Sequence, residues 1–158
     1  MKVLLQRVSS AKVEVAGEMV GEIAAGLLLF LGVEPKDSQA DLERMLAKVL
    51  AYRMFEDEEG RMNRSLLDVN GQLLVVSQFT LAANTAKGLR PSFSSAAPPE
   101  HGLDIYQRFI AAARLSLARD QMEGGQERIK ERVQTGVYGA DMSVSLCNEG
   151  PVTFLLEV

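Results

Sequence analysis

The continuous apolar run from Gly26 to Val33 is the feature that most constrains the fold of this chain. It is the longest apolar run among the 158 residues, and turn-forming residues bound it. A helix that crosses a bilayer needs roughly 20 apolar residues, so this run is too short for a membrane span. A short, uninterrupted apolar run is typical of a strand that is buried in a sheet. The sequence therefore predicts a globular core around a buried strand, with no membrane as a partner.

Length and composition predict one globular domain over residues 1–158. The chain is 47% apolar and 24% charged, which is ordinary for a globular protein. Domains usually contain roughly 100–200 residues. Lys2 and Arg7 interrupt the N-terminal apolar stretch too early for a signal peptide. We therefore expect a cytoplasmic protein.

Several segments have the alternating or continuous apolar pattern of strands. They are residues 2–9, 12–15, 19–23, 27–33, 66–69, 72–81, 133–138, 142–147 and 152–158. The segments up to and including the buried run follow one another closely, and this spacing predicts an antiparallel meander. Asn70-Gly71 is a strong signal for a hairpin turn between two of the others.

Two segments instead show helical spacing of apolar residues. The first predicts a helix over residues 39–53, with Ser38 as its N-cap and Asp41 three residues later. The second predicts a helix from Pro99 to near Gln121, broken by the glycines at 124 and 125. The whole pattern predicts an α+β fold, in which two amphipathic helices cover a mostly antiparallel, barrel-like sheet.

The counts of cysteine and histidine exclude several kinds of site. Cys147 and His101 are the only residues of their types, so neither an internal disulfide nor a structural zinc site can form. We interpret Cys147 as a small core residue and His101 as a solvated residue of a helix first turn.

The charge balance argues against a protein that wraps a long nucleic acid such as DNA. The formal net charge is -4 and the isoelectric point is near 5.1, whereas proteins that grip duplexes are usually basic. Lys87 and Arg90 lie in an acid-free part of the long irregular segment 82–99, so recognition of a phosphate-bearing end stays possible.

Two polar stretches are candidate sites. Ser77, Gln78 and Thr80 lie in the strand predicted over residues 72–81, a buried type of strand in which each polar group needs a partner. On that strand Ser77, Phe79 and Leu81 would share one face, and Gln78 and Thr80 the other. The polar side chains satisfy the strand's own loop or they contact a ligand, and no Gly-x-Ser-x-Gly sequence indicates a hydrolase triad. Residues 148–151 form either an ordinary hairpin turn or a rigid loop that presents its carbonyl groups, and spacing alone does not choose.

Six motifs occur together and in order along the chain. They are Gln6-Arg7-Val8, Gly21-Glu22-Ile23, Ser77-Gln78-Phe79-Thr80-Leu81, Arg90-Pro91-Ser92-Phe93, Gly139-Ala140-Asp141-Met142 and Asn148-x-Gly150-Pro151-Val152-Thr153. In this combination the chain closely resembles the D-aminoacyl-tRNA deacylase family. The resemblance covers essentially the whole sequence, and the pairing of Ser-Gln-Phe-Thr with a later Gly-Pro-Val-Thr is specific to that family.

The resemblance implies an activity and an assembly. Enzymes of this family hydrolyse the ester between a D-amino acid, or mischarged glycine, and the terminal adenosine of tRNA. They act as cytoplasmic homodimers with the active site at the subunit interface, and they use neither a metal nor an organic cofactor. The tRNA 2′-hydroxyl, rather than a side-chain base, is held to assist catalysis.

The resemblance also implies roles for individual residues. The segment from Ser77 through Gln78 and Phe79 to Thr80 would line the pocket for the adenosine and the ester, with Thr80 in a positioning role. Two further groups of residues would contact or arrange the substrate. The first is the Gly150-Pro151 pair, a Gly-cisPro motif that reaches into the partner's pocket and excludes L side chains, and Arg7 would hold this motif in place. The second consists of Tyr138, Ala140 and Met142, which would lie near the adenine.

The sequence departs from the usual family pattern at Asn84, Leu89, Tyr138, Cys147 and Glu149. None of these changes removes a motif. Three other functions stay open: a catalytically inactive dimeric tRNA-end-binding protein of the same fold, a related deacylase that clears an L-amino acid, and a conventional serine hydrolase that uses Ser77.

Overall fold

The computed structural model describes residues 1–86, 88–119 and 132–158. Within them the chain forms a main sheet, a small two-stranded sheet and two α-helices. The elements are β1 (Lys2–Val15), β2 (Glu18–Ile23), β3 (Gly26–Gly32), α1 (Gln39–Ala51), β4 (Phe55–Glu56), β5 (Met62–Arg64), β6 (Gln72–Ser77), α2 (Pro99–Arg119), β7 (Val133–Thr135) and β8 (Ser143–Glu157). The predicted α+β class is confirmed.

The long strand β1 organises the main sheet. Its first half pairs with β3, its second half pairs with β2, and β8 runs antiparallel along its other edge. The predicted meander is therefore wrong, because β2 and β3 both pair with β1 rather than with each other. Ser10 and Ala11, which separate the two predicted N-terminal strands, continue the extended chain within β1 instead of turning it.

The apolar run around β3 is buried on both faces of the sheet, as the sequence predicts. The sheet continues from β3 through β6 to β7 with parallel pairing. Leu27 and Leu29 face a core shared with the helices, whereas Leu28 faces a second core, the inner core, which lies inside the curved sheet. Because neighbouring residues of a strand point to opposite faces, a strand between two cores has no polar face.

The sheet curves until its two end strands nearly meet, which makes it barrel-like. Gly21 on β2 lies against β7, and a Cβ atom at this position would be only 2.6 Å from the carbonyl oxygen of Thr135. This close approach requires glycine, because any side chain would push the two edges apart.

The two helices cover one face of the sheet. Helix α1 begins after Ser38, the predicted N-cap, whose side chain forms a capping box with Asp41. Helix α2 begins at Pro99 as predicted and is described as far as Arg119. The expected end near Gln121 and the break at the following glycines lie outside the described residues. No helix in the described ranges is long and apolar enough to cross a membrane.

The hairpin predicted at Asn70-Gly71 is wrong. Residues 66–70 form turns, in which Ser65 and Asp68 bond to each other's side chain and main chain, and the chain then enters β6. Because β6 pairs in parallel with β3, it needs no strand immediately before it. The positive φ of Asn70 serves this turn.

The closing strands also differ from the prediction. The strands expected at residues 142–147 and 152–158 belong to one continuous strand, β8, and the strand expected at 133–138 ends at Thr135. The strand expected over 72–81 ends at Ser77, after which a short 3₁₀ turn covers residues 79–82. The two faces expected for Ser77 to Leu81 therefore do not exist.

Candidate functional site

A cleft opens at the end of the curved sheet, where the inner core meets the surface. Its volume is about 460 Å³. It is lined by Val76, Ser77, Gln78, Phe79, Ala97, Pro99, Tyr138, Gly139, Ala140, Asp141, Met142 and Val144. Three of these, Val76, Met142 and Val144, also belong to or pack against the inner core. The cleft floor is therefore apolar and is supported by the sheet itself.

The polar end of β6 forms one wall of the cleft. The Gln78 N–H still donates to the carbonyl oxygen of Leu31 on β3, at 2.8 Å, so the sheet fixes the point where the chain leaves it. The side-chain amide of Gln78 donates to Thr80 Oγ1. Because Thr80 accepts this bond, its own hydroxyl hydrogen stays available to a ligand. Thr80 does not itself line the cleft and adjoins it through Gln78.

The opposite wall is formed by the residues that come after β7 in the sequence, among them Tyr138, Ala140 and Met142. The Tyr138 hydroxyl donates to the carbonyl oxygen of Pro99, at 3.0 Å, and thereby ties this wall to the start of α2. Partial burial raises the pKa of Tyr138. Met142 packs against Gly136 so closely that a Cβ atom there would lie 2.6 Å from its sulfur.

Tyr106 on α2 contacts the main chain that supports both walls of the cleft. Its buried hydroxyl lies 3.0 Å from the carbonyl oxygen of Val75 and 3.2 Å from that of Gly136, so one side chain bridges the ends of β6 and β7. Burial, the main cause, raises the pKa of Tyr106 to about 12. Its ring also lies 5.7 Å from the ring of Tyr138, measured between centroids.

The Gly150-Pro151 segment lies in an irregular part of β8, and its peptide bond is cis. Pairing with β1 is interrupted there, so that residues 149–152 lie opposite Arg7 alone. Arg7 is only 5% exposed, and it donates to the carbonyl oxygens of Met54 (2.8 Å) and Glu149 (3.2 Å). Both residues of the Gly-Pro pair are exposed.

Asn148 holds the same segment from its other side. Its Oδ1 accepts from the main-chain N–H of Val152 at 2.9 Å, and its Nδ2 donates to Thr153 Oγ1 at 2.8 Å. Gln6 also donates to Thr153, at 3.2 Å. The polar residues of the motif thus fix the shape of the segment from which Gly150 and Pro151 project.

The structure brings together only part of the predicted site. Ser77, Gln78 and Phe79 meet the residues of the opposite wall around one cleft, with Thr80 beside them. Arg7, Gly150 and Pro151 form a separate cluster and do not line that cleft within one chain.

Comparisons with known proteins identify the family of the chain. A family model described as D-Tyr-tRNA(Tyr) deacylase matches residues 4–157. The chain is 57% identical to a D-aminoacyl-tRNA deacylase of Ectopseudomonas mendocina, with 100% of both chains covered. It is 56% identical to one of Pseudomonas aeruginosa, with 99% of both chains covered. This chain belongs to the D-aminoacyl-tRNA deacylase family. It is an enzyme with that activity, a carboxylic ester hydrolase, and tRNA is its substrate.

Solved structures agree with the fold of this deacylase. A protein named c-Myc DNA Unwinding Element Binding Protein matches with a TM-score of 0.87 and 36% identity, covering 100% of this chain and 99% of its own. A probable eukaryotic D-amino acid tRNA deacylase matches with a TM-score of 0.80 and 20% identity, covering 99% and 98%. The second match supports the fold alone.

Some residues of the deacylase cleft were missed by the sequence interpretation. Asp141, Ala97 and Pro99 line it, although no role was expected for them. Asp141 lies inside one of the six motifs, which was the available signal. Ala97 and Pro99 reach the cleft through long-range contacts, since the Ala97 N–H donates to the carbonyl oxygen of Val33 and Pro99 accepts from Tyr138, and no local pattern indicates this.

Two other interpretations fare differently. Cys147 is exposed on β8, so its assignment to the core is wrong. An alternating pattern shows that one face differs from the other, but it does not show which face is covered. His101 does lie in the first turn of α2, where its Nε2 is 3.0 Å from the carbonyl oxygen of Asp37 and is half-buried rather than freely solvated.

Of three positions that depart from the deacylase pattern, Asn84 and Glu149 keep hydrogen bonds that do not depend on the change. Asn84 Oδ1 accepts from the N–H of Ala86 at 2.9 Å, which an aspartate carboxylate would equally do. Glu149 offers its main-chain oxygen to Arg7, a contact independent of its side chain. Leu89 is fully exposed at a loop tip.

Proposed function

We propose that this deacylase domain, residues 1–158, acts in the cytoplasm as a homodimer that hydrolyses D-aminoacyl and glycyl esters of the terminal adenosine of tRNA. The observation that carries this proposal is the meeting of Ser77, Gln78 and Phe79 with Tyr138, Ala140 and Met142 around one cleft. An apolar cleft with a few convergent polar groups suits a nucleoside.

Rejection of L-aminoacyl esters would come from the Gly150-Pro151 segment of the partner subunit. Its main-chain oxygens would contact the substrate's amino group and leave no room for an L side chain. Two observations support a contribution from the partner. The pair projects from its own chain, yet it does not line that chain's cleft. The buried guanidinium of Arg7 fixes the segment, as a steric wall requires.

The exposed side of β8 supports the dimer. Among the described residues β8 pairs with β1 alone, so its other edge is open. Leu155, Leu146 and Cys147 are exposed along this strand. A long, open, partly apolar edge is normally protected in a folded protein, and a second copy of the chain would protect this one.

Catalysis would depend on the 2′-hydroxyl of the terminal ribose. Thr80 accepts a bond from Gln78 and lacks a basic partner among the described residues, so it would orient the substrate rather than attack it. Positioning together with main-chain hydrogen bonds to the developing oxyanion would accelerate an ester that is already labile.

A substrate with a 2′-deoxy terminal adenosine tests this mechanism. We expect it to lose most of the rate, because the assisting hydroxyl is gone. Asp141 is the carboxylate that lines the cleft. If a side-chain base operated instead, Asp141→Asn would abolish deacylation and the 2′-deoxy substrate would retain it.

The steric wall is tested by Gly150→Ala with D-Tyr-tRNA and L-Tyr-tRNA. Gly150 has φ of 126°, and an added Cβ atom would lie 2.6 Å from the side chain of Val152 and 3.0 Å from Arg7. We expect this variant to lose deacylation of D-Tyr-tRNA without gaining deacylation of L-Tyr-tRNA. Gly17→Ala is the matched control, since Gly17 also has positive φ but has no atom within 4 Å of its added Cβ.

The alternative of an inactive tRNA-end-binding protein is not favoured. Full-length relatives with more than half of their residues identical to this chain are D-aminoacyl-tRNA deacylases. The intact polar end of β6 gives no structural reason for a loss of activity.

A further inference from the structure

Two phenylalanine side chains form an exposed aromatic pair beside the cleft. The ring centroids of Phe79 and Phe93 are 5.2 Å apart, and the ring planes are inclined by 56°. The side chains are 59% and 45% exposed, respectively. A single exposed apolar residue is common, whereas two large rings that contact each other in solvent need an explanation.

The loop that carries Phe93 is held in place. Asn84 and Ser92 exchange two main-chain hydrogen bonds, of 2.8 and 3.0 Å, which close the loop immediately before Phe93. Ser95 Oγ donates to the carbonyl oxygen of Ala82 at 2.6 Å and pins the following residues. The second ring is therefore positioned by the backbone on both sides.

The aromatic pair continues the cleft outward. Phe79 lines the cleft with its neighbours Ser77 and Gln78, and it also contacts Phe93, which does not line it. A polymer whose last residue occupied the cleft would have this pair within reach of its next residue. The acyl-bearing end of tRNA is such a polymer.

The surroundings favour a nucleic acid over an apolar protein segment. Residues 82–99 contain neither Asp nor Glu. Arg90, three residues before Phe93, is exposed, and no described carboxylate pairs with it. A phosphodiester chain would thus meet a cation and no repelling charge on this loop.

We propose that the Phe79–Phe93 pair stacks the nucleobase that directly precedes the terminal adenosine of tRNA. This rests on the proposed function, which places the adenosine in the cleft. Unpaired bases at RNA ends stack on aromatic side chains, and such platforms tolerate any base because every base has a π face. Phe93 is then a positioning residue, which acts on the terminal ester by holding the nucleotide before it.

The test compares three D-tyrosyl esters: of adenosine, of the trinucleotide CCA, and of CCA with the middle base removed. The wild type should cleave the intact trinucleotide about tenfold better, in kcat/KM, than its abasic form. In Phe93→Ala that ratio should fall to near one, while cleavage of the adenosine ester stays unchanged. Phe93→Tyr should keep the ratio.

Leu89→Ala is the control, because Leu89 is a fully exposed apolar residue of the same loop. It should leave all three rates unchanged. Three results would overturn the proposal: a ratio that Phe93→Ala does not change, a loss of equal size on adenosine and trinucleotide esters, or conversion of Phe93→Ala to a monomer in sedimentation.

A failure of the proposed function and a failure of the stacking proposal give different results in this experiment. A wild type that cleaves none of the three esters, and no D-Tyr-tRNA, contradicts deacylation itself and this proposal with it. A wild type that cleaves intact and abasic trinucleotides at equal rates contradicts only the stacking.

Discussion

At the scale of single residues, the motifs divide into those that line the cleft and those that hold main chain. Arg7 and Asn148 belong to the second group, since their polar atoms bond to the backbone around Gly150. The sequence showed both residues, and the family resemblance gave a holding role to Arg7. The bonds themselves could not be predicted, because they depend on a long-range register between β1 and β8.

Replacement of Arg7 tests how firmly that segment is held. Arg7→Leu leaves the carbonyl oxygens of Met54 and Glu149 without their donor. An unsatisfied buried polar group costs about 1–3 kcal/mol, so we expect the free energy of unfolding to fall by about 2–3 kcal/mol in urea titrations. Selectivity for D-Tyr-tRNA over L-Tyr-tRNA should fall as well.

The control for Arg7 is Arg108→Ala. Arg108 pairs with Asp104 at 3.0 Å on an exposed face of α2. Exposed pairs contribute at most about 1 kcal/mol, so a small stability change and unaltered selectivity are expected. An Arg7→Leu variant with the same mild effect would show that the guanidinium does not hold the segment.

At the scale of elements, the sequence predicted the features that depend on local pattern. The buried strand β3, helix α1 with its Ser38 cap, and the start of α2 at Pro99 were all found from apolar spacing and capping residues. Pairing was harder, since the parallel neighbours β3 and β6 are far apart in sequence. The Asn70-Gly71 signal misled because it indicates a tight turn without fixing which strands that turn connects.

The contact between Gly102 of α2 and Tyr138 in the wall of the cleft predicts how the two residues affect stability together. Gly102 lies in the first turns of α2, and a Cβ atom there would collide with the Tyr138 hydroxyl. We expect Gly102→Ala to destabilise the wild type and weaken binding of adenosine. In a Tyr138→Phe background the obstacle is gone, and the same change should stabilise by about 1 kcal/mol, as alanine does in a helix.

Urea titrations of the two single variants and the double variant measure this coupling. A Gly102→Ala effect of the same sign and size in both backgrounds would show that the helix shifts freely and that Tyr138 does not fix the wall.

At the scale of the whole molecule, alkaline stability depends on Tyr106. Its pKa is raised to about 12 in the fold, against 10.0 for an ordinary tyrosine. Well below pH 10 the phenol is protonated in both states, and stability is unaffected. Between pH 10 and 12 the unfolded chain loses this proton while the folded chain keeps it, so the free energy of unfolding falls as pH rises.

Tyr106→Phe should flatten that decline. The variant is less stable at neutral pH, because it gives up the hydroxyl contact with Val75 and Gly136. Chemical unfolding at pH 8, 10 and 11 compares the two slopes. Equal slopes above pH 10 would mean that Tyr106 does not titrate in this range on unfolding.

The central claim concerns the assembled molecule: each site combines the cleft of one subunit with the Gly150-Pro151 segment of its partner. The measurement that tests it most directly is D-Tyr-tRNA deacylation by co-expressed Gln78→Ala and Gly150→Ala chains. Each variant alone should be inactive. Random pairing makes about half of the dimers mixed, each with one intact site. We predict about a quarter of wild-type activity, with L-Tyr-tRNA still spared. No recovery in verified mixed dimers would contradict the account.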